Sequence, residues 1–181
     1  MNIKDDIEKI LISEKEIQEK IKKVASQISK DYKDKTPLLI SILKGGVVFL
    51  TDLMRYIEIP IEIDFLGIAS YGSSTKSSGV VKITKDFNYD ISGRHIIIVE
   101  DIVDTGLSLK YIINLIKWKN PESIKICALL DKESAHSSDI KIDYKCFIAP
   151  DEFVVGYGLD YSEKYRNLPF IGVLKKEIYN K

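Results

Sequence analysis

Glu100 and Asp101 stand side by side, and Asp104, Thr105, Gly106, Leu107 and Ser108 follow within a few residues. A carboxylate accepts hydrogen bonds from sugar hydroxyls or holds a divalent cation through water. A glycine lets the backbone approach a ligand closely, and threonine and serine hydroxyls add donors. A site for phosphate alone has no use for three acids. A ligand with phosphate at one end and vicinal hydroxyls beside it satisfies the whole string, which describes a phosphorylated ribose. Taken singly, Glu100 and Asp101 also read as strand-end charges and Asp104 as a plain helix N-cap. The combination argues for a site.

The elements around this string would position it. Ile96, Ile97, Ile98 and Val99 are consecutive apolar β-formers, as in a strand buried on both faces of a parallel sheet. Leu109, Ile112, Ile113 and Ile116 make the apolar stripe of a helix opening near Gly106 and stopped by Asn120-Pro121. Unpaired amides and the positive end of the macrodipole converge where such a helix starts, so the loop is a ready anion nest. Ser123 to Leu130 reads as the next buried strand, ending in Asp131-Lys132, and strand-helix-strand implies a right-handed parallel crossover. Upstream, Pro37 to Leu43 reads as a strand, Lys44-Gly45-Gly46 as a turn and Val47 to Met54 as a helix. That is a second anion-binding arrangement with a lysine at its mouth. It lacks the full Walker A string, and a simple strand-to-helix turn would look the same. Ligands of open α/β sheets sit beyond the carboxyl ends of the strands. Lys44, Glu100, Asp101, Asp104 and Lys132 should therefore share one edge of an α/β fold with a mainly parallel sheet flanked by helices.

Ser13 and Glu16 form a capping box, behind which Ile17, Ile21, Val24 and Ile28 share one face of a surface helix. Ile61 to Ile68 and Val80 to Thr84 read as strands joined by a small, polar stretch from Ser70 and Tyr71 to Gly79. That stretch is either a hairpin tip or a lid that excludes water from a reactive intermediate. His95 opens the central strand and reads as structural. Tyr144 to Ala149 reads as a strand, Pro150 as a turn and Phe153 to Val155 as a short strand before an aromatic-rich loop. Phe153, Tyr157, Tyr161 and Tyr165 could be core or a platform for a planar ligand, and composition favours core.

The chain has 181 residues, enough for one domain with a small appended lobe. Hydrophobic residues make up 45% and charged residues 30%, which suits a globular protein with a real core. The net charge of zero argues against a nucleic-acid-coating protein. The charged N-terminus shows no secretory h-region, and no apolar run approaches the roughly 20 residues of a membrane span. Cys127 and Cys146 sit in apolar segments and read as buried thiols of a reducing cytosol. No linker, low-complexity tract or internal repeat is visible.

Five blocks in order resemble the hypoxanthine-guanine phosphoribosyltransferases, within the type I phosphoribosyltransferases. They are Leu43-Lys44-Gly45-Gly46, Ser70-Tyr71-Gly72, Val99 to Gly106, Leu130-Asp131-Lys132, and Pro150-Asp151 through Phe153-Val154-Val155-Gly156-Tyr157 to Leu159-Asp160-Tyr161 and Tyr165-Arg166. The resemblance spans about residues 37–172. It implies a type I phosphoribosyltransferase fold over residues 1–181, with a core of about 35–148. A small hood would come from the N-terminal segment and about 149–181. It implies transfer of 5-phosphoribosyl from phosphoribosyl diphosphate (PRPP) to N9 of a 6-oxopurine, with Mg²⁺ as cofactor. By the same resemblance, Asp104, Thr105, Gly106, Leu107 and Ser108 hold the 5′-phosphate, and Glu100 and Asp101 face the ribose hydroxyls and metal. Lys44, Gly45 and Arg166 meet pyrophosphate, and Asp160 helps hold a second Mg²⁺. Phe153 stacks on the purine, Lys132 donates to its 6-oxo group, and backbone near Val154 binds its edge. Asp104 contacts N7 as general base or electrostatic partner. Ser70 and Tyr71 belong to the lid, and the Leu43–Lys44 peptide is expected to be cis. A cytoplasmic homodimer or homotetramer is implied, with neither nucleic acid nor membrane as partner. The alternatives are another base, xanthine or a pyrimidine, the latter opposed by the aromatic and Lys132 blocks; a regulator that keeps the site but binds nucleic acid; and an inactive nucleotide-binding module.

Overall fold

The computed structural model describes residues 3–70, 81–136 and 140–180. After a 3-10 turn the elements run β1 (Ile7–Ile12), α1 (Glu14–Asp31), β2 (Leu38–Leu43), α2 (Gly46–Tyr56), β3 (Glu62–Ser70) and β4 (Val81–Lys85). They continue as β5 (His95–Val103), α3 (Leu107–Lys117), β6 (Ser123–Asp131), β7 (Tyr144–Ile148), β8 (Val154–Val155), β9 (Ile171–Leu174) and α4 (Lys176–Tyr179).

Among the described residues the main sheet has the order β4-β3-β2-β5-β6-β7. All its pairs are parallel except β3–β4 at the edge. β5 lies at the centre, paired from Ile96 to Val99 with β2 and from His95 to Val103 with β6. Ile96 to Val99 are fully buried, as expected of a strand covered on both faces. One layer, including α1 and α2, buries Ile17, Ile21, Ile28, Phe49, Leu50 and Leu53 with Ile97 and Val99. The opposite layer sets Leu109, Ile112 and Ile116 of α3 against Ile96, Ile98 and Ile126. Each such side chain contributes about 1.5–3 kcal/mol of transfer free energy on burial.

The Ser13–Glu16 capping box is formed, with the Ser13 amide donating to Glu16 Oε2 at 2.8 Å. A second, antiparallel sheet, β1-β9-β8, ties the first strand to the end of the chain. Neither β1 nor β9 was legible beforehand. Ile7–Ile12 lacks a clean alternation of buried and exposed positions, because it bulges against β9. Cys127 and Cys146 are buried free thiols, and burial raises the Cys146 pKa to about 12. No described helix is long and apolar enough to cross a membrane.

Candidate active site

The carboxyl ends of β2, β5 and β6 lie side by side in the parallel sheet, and each delivers one part of the site. β5 ends in the acidic string. Past it, Gly106 caps α3 with φ +73°, a left-handed conformation that glycine adopts without a Cβ penalty. A Cβ there would also meet His136 Cβ at 3.3 Å and collide with the end of the Ile140 side chain. Glu100, Asp104, Thr105, Gly106 and Ser108 line a cavity of about 130 Å³ at this corner. The first-turn amides of α3 have no intrahelical acceptor, so the cavity floor is rich in donors. The Leu107 side chain is exposed and outside that lining, which leaves its backbone amide as its contribution.

A second cavity, about 290 Å³, adjoins the first and shares Ile102 and Asp104 with it. Its lining also includes Asp101, Lys132, Phe153, Val154 and Asp160. Lys132 Nζ lies 3.9 Å from Asp104 Oδ1 and 3.1 Å from Asp151 Oδ1. Its backbone amide donates to Val103 O at 2.9 Å, which locks the ends of β5 and β6 together beneath the cavity. Asp131, just before it, is buried and braced by His136 Nε2 at 2.7 Å and Lys145 Nζ at 2.9 Å. Phe153 is 39% exposed. Its ring stacks on Tyr179, which is not part of the cavity lining, with centroids 4.8 Å apart. The four aromatics therefore divide: Tyr157 and Tyr165 are core, whereas Phe153 and Tyr161 are partly exposed.

The turn after β2 closes the remaining side. The Leu43–Lys44 peptide is cis, as the resemblance implied. Gly45 lies against Asp101, where a Cβ would stand 2.6 Å from Asp101 Cγ. On its other side a Cβ on Gly158 would collide with Gly45 O. Gly158 has φ +101° and accepts at its carbonyl from Arg166 Nη1 at 2.8 Å. Arg166 Nη2 pairs with Asp160 Oδ1 at 2.8 Å, and its buried Nε has no partner among the described residues. Lys44 Nζ pairs with Glu163 Oε2 at 2.9 Å.

Two acids at the end of β5 are electrostatically uncomfortable. Burial, then the neighbouring Asp101 charge, pushes the Glu100 pKa well above the ordinary range. Burial also raises Asp101, against hydrogen bonds from backbone amides, including that of Ile102 at 2.9 Å, and the favourable charge of Arg166. Such a pair is suited to a site that fills with hydroxyl donors or a cation.

The structure thus brings Glu100, Asp101, Asp104, Thr105, Gly106, Ser108, Lys132, Phe153, Val154 and Asp160 around two adjoining cavities. Gly45 presses on Asp101, and Arg166 is tied to Asp160. Ser70 ends β3, and Tyr71 lies outside the described residues, as does the lid expected there. Asp151, part of the fifth block but given no role there, stands beside Lys132. Sequence reasoning missed Glu163 beside Lys44 and Tyr179 behind Phe153, whose only sequence signal is an ordinary surface charge or ring, and long-range packing brings them in.

A strand-end anion nest flanked by acids and lysines at the carboxyl edge of a parallel sheet defines a binder of sugar phosphates. The chain belongs to the phosphoribosyltransferase family: the phosphoribosyl transferase domain model matches residues 9–162. It is 52% identical over 177 residues to the hypoxanthine-guanine phosphoribosyltransferase of Bacillus subtilis, covering 98% of each chain. It is 51% identical over 179 residues to the enzyme of that name from Streptococcus pyogenes, covering 99% of each. Among solved structures, it superposes on a hypoxanthine phosphoribosyltransferase from Staphylococcus aureus with a TM-score of 0.94 at 42% identity. That match covers 98% of this chain and 96% of the other. The architecture is accordingly the type I phosphoribosyltransferase fold.

Proposed function

We propose that this chain transfers the 5-phosphoribosyl group of PRPP to N9 of hypoxanthine, and of guanine, giving IMP or GMP and pyrophosphate. The observation that carries the reading is the pair of adjoining cavities joined at Asp104. One is walled by the amides and hydroxyls that suit a phosphate. The other holds an exposed aromatic ring and a lysine.

In this reading the nest from Asp104 to Ser108 takes the 5′-phosphate, and Glu100 and Asp101 accept from the ribose hydroxyls. Phe153 stacks on the purine, backbone at Val154 meets its edge, and Lys132 donates to the 6-oxo group. A 6-amino group offers Lys132 no suitable acceptor, which sets 6-oxopurines apart from adenine. Asp104, whose Oδ1 lies 3.9 Å from Lys132 Nζ, would accept or stabilise a proton at N7. Lys44, the Gly45 backbone and the Arg166 guanidinium suit the pyrophosphate oxygens. Ser70 and Tyr71 belong to the segment that would exclude water.

Among the described residues no three acids, histidines or cysteines gather as a ready metal cluster; Glu100 and Asp101 would hold one Mg²⁺ and Asp160 would help hold a second, which suits an ion that takes one or two carboxylates and fills its remaining positions with water and phosphate oxygens. Glu100 is buried beside the Asp101 charge, and a cation arriving there would offset that repulsion. When bound, Mg²⁺ supplies positive charge to the departing pyrophosphate.

We place residues 1–181 in one phosphoribosyltransferase domain, with a core of about 35–148. Its hood comes from the N-terminal segment and about 149–181, and the β1-β9-β8 sheet supports that division. The setting is cytoplasmic, in keeping with two free thiols, and the assembly a homodimer or homotetramer. Incubation with PRPP, Mg²⁺ and each purine in turn tests the reading. IMP and GMP should form and AMP should not. XMP alone would redirect the base assignment, and no nucleotide with any base would overturn the activity.

A further inference from the structure

Glu163 occupies an unusual position between the two cations assigned above to pyrophosphate. Its Oε2 lies 2.9 Å from Lys44 Nζ and its Oε1 lies 3.4 Å from Arg166 Nη2. One carboxylate thus spans both cations with a different oxygen on each. The backbone holds it there at a cost. Tyr161 and Lys164 exchange hydrogen bonds of 3.2 and 3.1 Å across a two-residue turn. That turn puts Ser162 at φ +50° and Glu163 at φ +64°. Turns with two left-handed central residues favour Asn-Gly, because a Cβ is strained there. Asp160 stabilises the turn by accepting the Glu163 amide at Oδ2, 2.9 Å away, while its Oδ1 holds Arg166. A glutamate kept in a glycine-type position, aimed at a lysine from far along the chain and an arginine three residues on, points to use of its charge.

We propose that Glu163 is a stand-in anion for pyrophosphate: it takes Lys44 and Arg166 when the site is empty and yields them when pyrophosphate or PRPP binds. The inference rests on the pyrophosphate reading of Lys44 and Arg166. The Glu163 side chain is 64% exposed, so these pairs are weak and readily exchanged. A competitor of this kind lowers affinity for free pyrophosphate and so favours product release. Glu163 acts through Lys44 and Arg166, and is a positioning residue.

Glu163→Gln removes the charge and keeps the shape. The inhibition constant of pyrophosphate and the KM of PRPP should both fall, by roughly 1.4-fold to fivefold, the span of exposed ion pairs. The KM of hypoxanthine should not move. Glu163→Gly, which relieves the left-handed backbone, should melt higher than the parent and show the same tightening, which separates competition from turn stability. In a Lys44→Ala background the effect of Glu163→Gln should shrink, since one of its two cations is gone. Unchanged or weaker pyrophosphate binding in both Glu163 variants overturns the proposal. If Lys44→Ala itself leaves PRPP and pyrophosphate affinity intact, the pyrophosphate assignment falls as well, so the two failures are distinguishable.

Discussion

Gly45→Ala tests the site through sterics alone. Gly45 has φ −60° and ψ −45°, ordinary helical angles, so alanine carries no conformational penalty there and should slightly stiffen the unfolded chain. Its Cβ, however, would stand 2.6 Å from Asp101 Cγ, and Gly158 blocks retreat on the other side of the turn. Asp101 must therefore rotate. Rotation costs about 0.5–1.5 kcal/mol off a side-chain minimum. It also breaks the 2.9 Å bond from the Ile102 amide, about 0.5–1.5 kcal/mol net. Together that is about 1–3 kcal/mol, charged to whichever state needs Asp101 in place. At 1.4 kcal/mol per decade, the KM for PRPP should rise roughly five- to 150-fold. The melting temperature should change by only a few degrees, because Asp101 can swing into the solvent-facing cavity. Initial rates over a PRPP titration, with thermal melting on the same samples, check both halves. Parental PRPP kinetics in a folded Gly45→Ala protein would refute the packing of this turn on Asp101.

Three further outcomes follow from the same geometry. Lys132→Ala should raise the purine KM roughly 10- to 100-fold, the range for a charged hydrogen bond, and erode discrimination against adenine in competition assays. Asp104→Asn should lower kcat about 10²-fold or more, with PRPP binding retained by the nest amides; single-turnover rates beside a PRPP binding isotherm separate the two. Glu100→Gln should inactivate the enzyme yet stabilise the ligand-free protein. The folded-state pKa of Glu100 is raised, so the unfolded chain ionises first as pH climbs through the ordinary value of 4.5, and the charge becomes a stability penalty above it. The variant's advantage in melting temperature should be absent near pH 3, open above pH ~4.5 and persist at neutral pH. A uniform offset at all pH values would count against a buried charge.

What was legible beforehand was local. The run Ile96 to Val99 announces a buried parallel strand because four apolar β-formers cannot be solvated on either face. The Gly-bearing string after it announces an anion nest because helix N-termini leave amides unpaired. The capping box at Ser13 and the α1 stripe were legible for the same reason: partners lie within one or two turns. β1 and β9 were not, because each is apolar enough to be a strand only when paired with the other, some 160 residues away, and the bulged register of Ile7–Ile12 hides the alternation.

The site divides along the same line. The sequence by itself determined which residue types stand at each strand end, and so the acids, lysines and hydroxyls the chemistry can use. The tertiary structure alone decided that Gly45 packs on Asp101, that Tyr179 backs Phe153 and that Glu163 spans Lys44 and Arg166. Local sequence sets dihedral preference and hydrogen-bond demand within a few residues. Which groups meet across the chain depends on strand order and on close packing of side chains, and neither is written in any one segment.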